Sequence, residues 1–404
     1  MGMAKQQQIE AQERGWSAPL DKYVCANCVD DARLKSVVLK AVVNATCSYC
    51  KQVGSDNIAA PIDVLIDVVF NTVSYLFNEP TEAGVPWDEG AFIVEPIHTY
   101  DVLRALPLDC HDELFEDVAK SFNDDCWVPA AGGHWASSHE HEILADSWNS
   151  FVSSVRHETR FHFHVAPLSP SAGPQEFAPG GVLPVLGDLI NGSGLVRRLD
   201  ANQLLYRIRI RAVGDAWNLN AVELGAPPLD RVRAGRMNPA GIPYLYVALD
   251  EATALAETVS SPPIEAVIAT FRATRVLTVI DLTDLPPLPS VFDELQRGDR
   301  EGLMFLRKFV EEISRPVTKD GSEHVDYVPS QAVSEYFAQV FQPSDGNSEP
   351  DGLLYPSAVR PGGKNLVLFP SDRGWQVTFD MVGFVSAETR QLNHWRDLAQ
   401  SLNV

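Results

Sequence analysis

What the chain has little of narrows its class first. Lys and Arg number 32 against 54 Asp and Glu, a net charge of −22, so no general positive field attracts nucleic-acid phosphates or an anionic membrane. Nucleic acid is disfavoured as the main partner. Long apolar runs are missing too: the most hydrophobic stretch, PIDVLIDVVF, carries Asp63 and Asp67 and does not suit a membrane span. The polar start MGMAKQQQIEAQERG has no apolar core of the signal-peptide kind. These absences predict a cytoplasmic chain without membrane contact. No repeat of fixed period is found.

Cysteine is scarce, with six in 404 residues, but four of the six obey a strict spacing. Cys25-Ala-Asn-Cys28 and Cys47-Ser-Tyr-Cys50 are two CxxC knuckles whose thiolates suit tetrahedral zinc. A cytosolic chain keeps thiols reduced, which argues against disulfides. Four protein ligands leave no open position, so the zinc is expected to be structural, in a module of about residues 21–52. Cys110 and Cys126 stand alone and read as core or surface thiols.

A length of 404 residues with 45% hydrophobic content allows two or three packed domains. DNIAAPIDVLIDVVFNTVSYLF places Ile62, Leu65, Ile66, Val69 and Val73 at helical spacing, with Pro61 near a first turn. DELFEDVAKSF and EHEILADSWNSFVSSVRHETRFHF repeat the pattern through Leu114, Val118 and Phe122, then Leu144, Trp148, Phe151 and Val155. Residues 1–165 therefore read as a helical domain, and the Pro/Gly-rich stretch 166–185 as a linker. Beyond it come short apolar runs, QLLYRIRIRAV, YLYVAL, EAVIATF, RVLTVIDL, GLLYPS, NLVLF and WQVTF. Helices EATALAETV, GLMFLRKFVEEIS and PSQAVSEYFAQVF lie between them. Residues 186–404 read as an α+β domain, so the fold class is multidomain, α followed by α+β.

One segment, GRMNPAGIPYLYVALDEATALAE, holds Arg236, Tyr246 and Glu257 on a turn, a strand and a helix. The turn at Asn238-Pro239-Ala240-Gly241 leads into the strand, Asp250 caps the helix, and Pro262 and Pro263 stop it. Ala252, Ala254 and Ala256 let that helix press close to its support. Each of the three functional side chains also has a bland reading, as a surface charge, a core aromatic and a solvated helix position.

YRIRI (206–210), GRMNPAG with LYVA and ALAE (235–257), and YPSAV followed by NLVLF (355–369) resemble, in this order, the motifs of the RES domain family. The paired knuckles and helical pattern of the first half resemble the HEPN/RES amino-terminal domain. The resemblance implies an ADP-ribosyltransferase-like fold and an NAD-consuming activity, often that of a toxin in a toxin–antitoxin pair. Carried over by position, the family's arginines fall on Arg207 and Arg236, its tyrosine on Tyr246, its glutamate on Glu257 and its serine on Ser357. After the turn arginine the family usually carries Trp or Phe, where this chain has Met237.

The chemistry fits those residue types. Breaking the nicotinamide–ribose bond passes through an oxocarbenium-like centre, which a carboxylate below the ring, Glu257, stabilises. Arg207 and Arg236 are planar cations suited to pyrophosphate or to a phosphate nucleophile. Tyr246 offers a ring to nicotinamide or a hydroxyl to ribose; Ser357 and Asn238 complete the expected NAD-binding set, with Ser357 a binder and not a nucleophile.

Expected activity is therefore NAD phosphorolysis or hydrolysis by a toxin or defence effector. One alternative is ADP-ribosylation of a macromolecule by the same site. Another is a HEPN-type ribonuclease using Arg156 and His162, with the RES-like half as sensor. An antitoxin or regulatory protein is an expected partner, and a homo-oligomer is compatible with the sequence. Three weaker signals remain. Ser330 and Gln331 open a helix, where capping explains them as well as substrate contact. His134, His139 and His141 cluster without a firm ligand pattern. Arg207, Arg209 and Arg211 share one strand face, and at least one is expected to meet solvent or a carboxylate.

Overall fold

The computed structural model describes residues 12–19, 21–168, 172–173, 175–211, 214, 218–259, 264–316, 321–344, 346, 349–370 and 381–394. The run WQVTF and the prolines Pro262 and Pro263 fall outside them. Two compact units emerge: residues 1–140 with 288–301, and residues 141–287 with 302–404.

The first unit has helices α1 (Ala32–Lys40), α2 (Asp63–Leu76), α3 (Thr99–Ala105) and α4 (Asp112–Ser121). Asp31 starts α1 by accepting the amides of Arg33 and Leu34 at 2.8 and 3.1 Å. On α2, Leu65, Ile66, Val69 and Val73 are fully buried, as their spacing requires. Pro61 lies outside that helix, at the end of a strand.

The unit is not all helix. Strands β1 (Tyr23–Cys25) and β2 (Ala59–Pro61) pair antiparallel. Two further small sheets follow: the two-residue strands β3 (Phe77–Asn78) and β6 (Ile97–His98) flank β7 (Cys126–Pro129), and β4 (Trp87–Asp88) pairs with β5 (Ala91–Phe92). These pairings are too short to leave a period-2 pattern, which is why the sequence reads helical throughout. Val291 and Phe292, from the returning segment, belong to this unit's core.

The second unit is built on eight strands: β8 (Val196–Leu199), β9 (Leu204–Arg211), β10 (Leu245–Ala248), β11 (Ile264–Ala273), β12 (Leu277–Asp281), β13 (Gly352–Pro356), β14 (Lys364–Leu368) and β15 (Val382–Leu392). Their order is β15-β11-β9-β10-β14-β13-β12-β8, and only the β12–β13 pair is parallel. Helices α5 (Glu140–Ser153), α6 (Pro179–Gly192), α7 (Glu251–Thr258) and α9 (Val328–Gln339) accompany the sheet, and α8 (Arg297–Ser314) belongs to this unit from Gly302 onward.

One core joins Trp148, Phe151, Leu186, Leu306, Phe309 and Phe337 of the helices to Ile280, Leu353 and Val367 of the sheet. Another seats Ala254 and Leu255 of α7 on Ile208, Ala248, Ala266 and Ile268. The stretch read as linker becomes helical at Pro179, because a proline in a first turn has no amide to satisfy and its fixed φ suits the helix. Val182, Leu183, Leu186 and Ile190 then bury one face of α6.

Candidate active site

Strands β9 and β10 pair at a single position, Ala248 opposite Tyr206, and part beyond it. A cavity of about 410 Å³ opens beside that divergence, lined among others by Arg207, Arg236, Tyr246, Glu257, Tyr327 and Tyr355. Four of the expected residues therefore share one concavity.

Arg207 comes from β9. Its Nη1 is shut off from water and has no hydrogen-bond partner among the described residues. Burial first, then Arg209, pull its pKa down to about 10, so it keeps its charge at neutral pH. Its neighbours along the strand are spent: Arg211 pairs with Glu265 at 2.7 Å and Arg209 donates to the Glu223 carbonyl.

Arg236 sits on the turn before β10. Its Nη1 donates to the carbonyls of Ile313 and Arg315, both at 2.8 Å, capping the C-terminal end of α8 where the helix dipole favours a cation. Its guanidinium lies 6.0 Å from the Tyr327 ring. The turn itself is tightly made. Asn238 is buried, donates to the carbonyls of Arg233, Pro239 and Ile242, and accepts from the Tyr246 hydroxyl at 2.8 Å. A side chain at Gly235 would come within 2.5 Å of the Asn238 Oδ1 and 2.8 Å of the Tyr246 Oη, so only glycine fits.

Asn238 thus builds the turn and is not part of the lining. The Tyr246 hydroxyl is likewise tied back, since it also accepts the Met237 amide at 3.0 Å. Burial pushes its pKa well above the ordinary value and the backbone donors only partly oppose this, so the group stays protonated. Its ring, not its hydroxyl, is what Tyr246 can offer. Met237 is wholly buried in the core.

Glu257 stands near the exposed end of α7, whose start Asp250 fixes by accepting the Thr253 amide at 2.8 Å and hydroxyl at 2.7 Å. Its Oε1 accepts from Ser357 Oγ at 2.7 Å and from Asn365 Nδ2 at 2.6 Å. Ser357 in turn accepts the amides of Val359 and Arg360. Its one proton is therefore committed to Glu257, which makes Ser357 the carboxylate's positioner.

The sequence reading gave no role to Asn365, Tyr327 or Tyr355. A signal existed for Asn365: it is a polar residue at the head of the apolar run NLVLF, and it is buried, so its amide needs a partner. Ser330 and Gln331 do not cap: α9 starts at Val328 with no side-chain cap, and both lie buried inside its first turns. Ser330 donates to the carbonyls of Arg236 and Tyr327, and Gln331 to that of Gly235 at 2.8 Å, clasping the arginine turn.

In the first unit the sulfurs of Cys25, Cys28, Cys47 and Cys50 lie within 4.8 Å of one another, and none is in a disulfide. Such a cluster can bind a metal. Burial raises the Cys47 pKa, but the amides of Tyr49, Cys50 and Cys25 outweigh it and bring the thiol down to about 7. Among the histidines, His134 accepts the Ala136 amide at 3.1 Å and stacks on Trp135. Arg156 donates to the Asp326 carbonyl at 3.2 Å, whereas His162 is exposed and is not in the cavity Arg156 lines.

Comparison with protein families matches residues 40–168 to HEPN/RES N-terminal domain 1 and residues 204–379 to the RES domain. The chain therefore carries a HEPN/RES N-terminal domain followed by a RES domain. The RES domain is known from NAD-related toxin systems, which supports an NAD-acting toxin or effector at family level. No curated protein and no solved structure shows significant similarity to it. Among the described residues no helix is long and apolar enough to cross a membrane.

Proposed function

We propose that the chain breaks the nicotinamide–ribose bond of NAD, with phosphate or water as acceptor, as an NAD phosphorylase or glycohydrolase serving as a toxin or defence effector. One observation carries this reading: a cavity that pairs the unpartnered buried Nη1 of Arg207 with a Glu257 carboxylate clamped by two donors. A buried donor without a partner calls for an anion, which the dinucleotide's pyrophosphate supplies. Arg236, across the same cavity, adds a second cation.

In the reaction the electron pair of the C1′–N bond leaves with nicotinamide, whose ring loses its positive charge. C1′ becomes oxocarbenium-like, and the Glu257 charge stabilises it. An acceptor oxygen then bonds to C1′, and any proton it carries passes to solvent. Tyr246, Tyr327 and Tyr355 provide ring walls for the cationic pyridinium. A position as exposed as that of Glu257 also suits a macromolecular acceptor, so ADP-ribosyl transfer is the second reading.

The four cysteines are proposed to hold one structural zinc. Their neighbouring S–S separations of 3.4, 3.6 and 3.7 Å suit the edge of about 3.8 Å that a tetrahedral site with Zn–S near 2.3 Å requires. A cell making such a toxin needs an inhibitory partner, an antitoxin or a regulatory protein. The test is to incubate the protein with NAD, with and without phosphate, and weigh the products. Free ADP-ribose or its phosphate ester supports cleavage; adducts on protein support transfer; unchanged NAD defeats both.

A further inference from the structure

A second cavity, of about 260 Å³, adjoins the first. The two share Arg236, Pro316 and Tyr327 in their linings, so these three residues stand between them. Its far wall comes from outside the RES match: Trp148 and Val152 of α5, and Arg156 in the turn that follows it. All of these residues lie in the second compact unit.

The wall is chemically specific. The Nε of Arg156 is buried without a hydrogen-bond partner among the described residues, and its Nη2 lies 3.6 Å from the Asp326 carboxylate. Glu312 is held in place by the Trp148 indole N–H at 2.8 Å. Arg156 and Arg236 can meet a phosphate, the Glu312 and Asp326 carboxylates can accept the two hydroxyls of a ribose, and the Tyr327 ring offers a face to a base. These are the groups of a nucleoside monophosphate.

The first cavity is near the small end of the range of about 300–1,000 Å³ that ligand pockets span. Under the proposed reading it must hold nicotinamide and its ribose between Glu257 and the arginines, which leaves the rest of the dinucleotide to be housed. We infer that the second cavity receives the adenylate half of NAD, with Arg236 and Tyr327 at the crossing. The inference rests on that reading of the site. It makes α5 of the HEPN/RES match a substrate-binding element of the RES domain.

AMP, titrated into the full chain by calorimetry, tests it. The expected result is one AMP per chain, bound at least tenfold more weakly by Arg156→Gln and by Val152→Trp, which fills the space. Melting curves show that the variants are folded; if Val152→Trp is not, Arg156→Gln decides. No AMP binding to the parent chain, equal binding to parent and Arg156→Gln, or inorganic phosphate binding as tightly as AMP overturns the adenylate assignment. NAD cleavage is measured on the same samples. Cleavage without AMP binding removes the chamber alone, and AMP binding without cleavage removes the catalytic reading alone.

Discussion

Glu257→Gln tests the catalytic proposal most directly, because the structure says how little else it changes. The glutamine oxygen can take the place of Oε1 and still accept from Ser357 and Asn365. Replacing a charged acceptor by a neutral one weakens those bonds by about 1 kcal/mol in all. For a unit of this size that lowers the melting temperature by about 2–4 °C. The catalytic loss is larger. A full charge about 4 Å from the developing cation, at an effective dielectric near 20, contributes about 4 kcal/mol. Removing one preorganised electrostatic group costs about 10²–10³ in kcat. The assay is nicotinamide release by chromatography under saturating NAD, with ADP-ribose affinity measured alongside. A folded variant with kcat within about tenfold of the parent refutes the role, since a tenfold change is only about 1.4 kcal/mol of barrier.

Ser357→Ala should lower kcat more than it changes KM, by about tenfold, because it frees one of two clamps on the carboxylate; an effect on KM alone would make Ser357 a substrate binder. Arg207→Met should raise the melting temperature by several degrees while abolishing ADP-ribose binding, since an unsatisfied buried donor costs about 1–3 kcal/mol. A lower melting temperature with binding retained would contradict that. Metal analysis should find about one zinc per chain, lost on Cys47→Ser with little change in the rate of NAD cleavage; a metal-free native protein would count against the site. A fragment starting at residue 185 should fail to fold, because it lacks Trp148, Phe151 and Val155, and truncating one buried aromatic alone costs about 3–5 kcal/mol. A soluble 185–404 fragment with a cooperative melt would show that α5 is dispensable.

The readable parts of this molecule were those with a local cause. Alternation along YRIRI, the Asp250 cap and the 3.6-residue rhythm of α2 each rest on a few adjacent residues, and each stands where the sequence placed it. So do Arg207, Arg236, Tyr246 and Glu257, which motif order brought to one cavity. Side-chain bonds escaped. That Asn238 is consumed by its own turn and that the Tyr246 hydroxyl points back into it rest on near neighbours but leave no periodic signal, and that Ser357 serves Glu257 depends on a partner 100 residues away. Helix α6 escaped for another reason: its two prolines and glycines carry helix-breaking signals, and burial of Val182, Leu186 and Ile190 overrides them.

Residues 288–301 lie inside the RES match but pack with the first unit, so neither unit is one uninterrupted run of sequence. The consequence is for inheritance. Recombination near residues 166–185 would hand over a RES cassette carrying a strip, with Val291 and Phe292, whose core stays behind with the other parent. A change at Phe292 would likewise be scored on paper against the NAD-acting domain and felt by the cysteine-bearing one. Descent should therefore keep the halves together as a matched pair, with compensating changes crossing the apparent domain border at this strip.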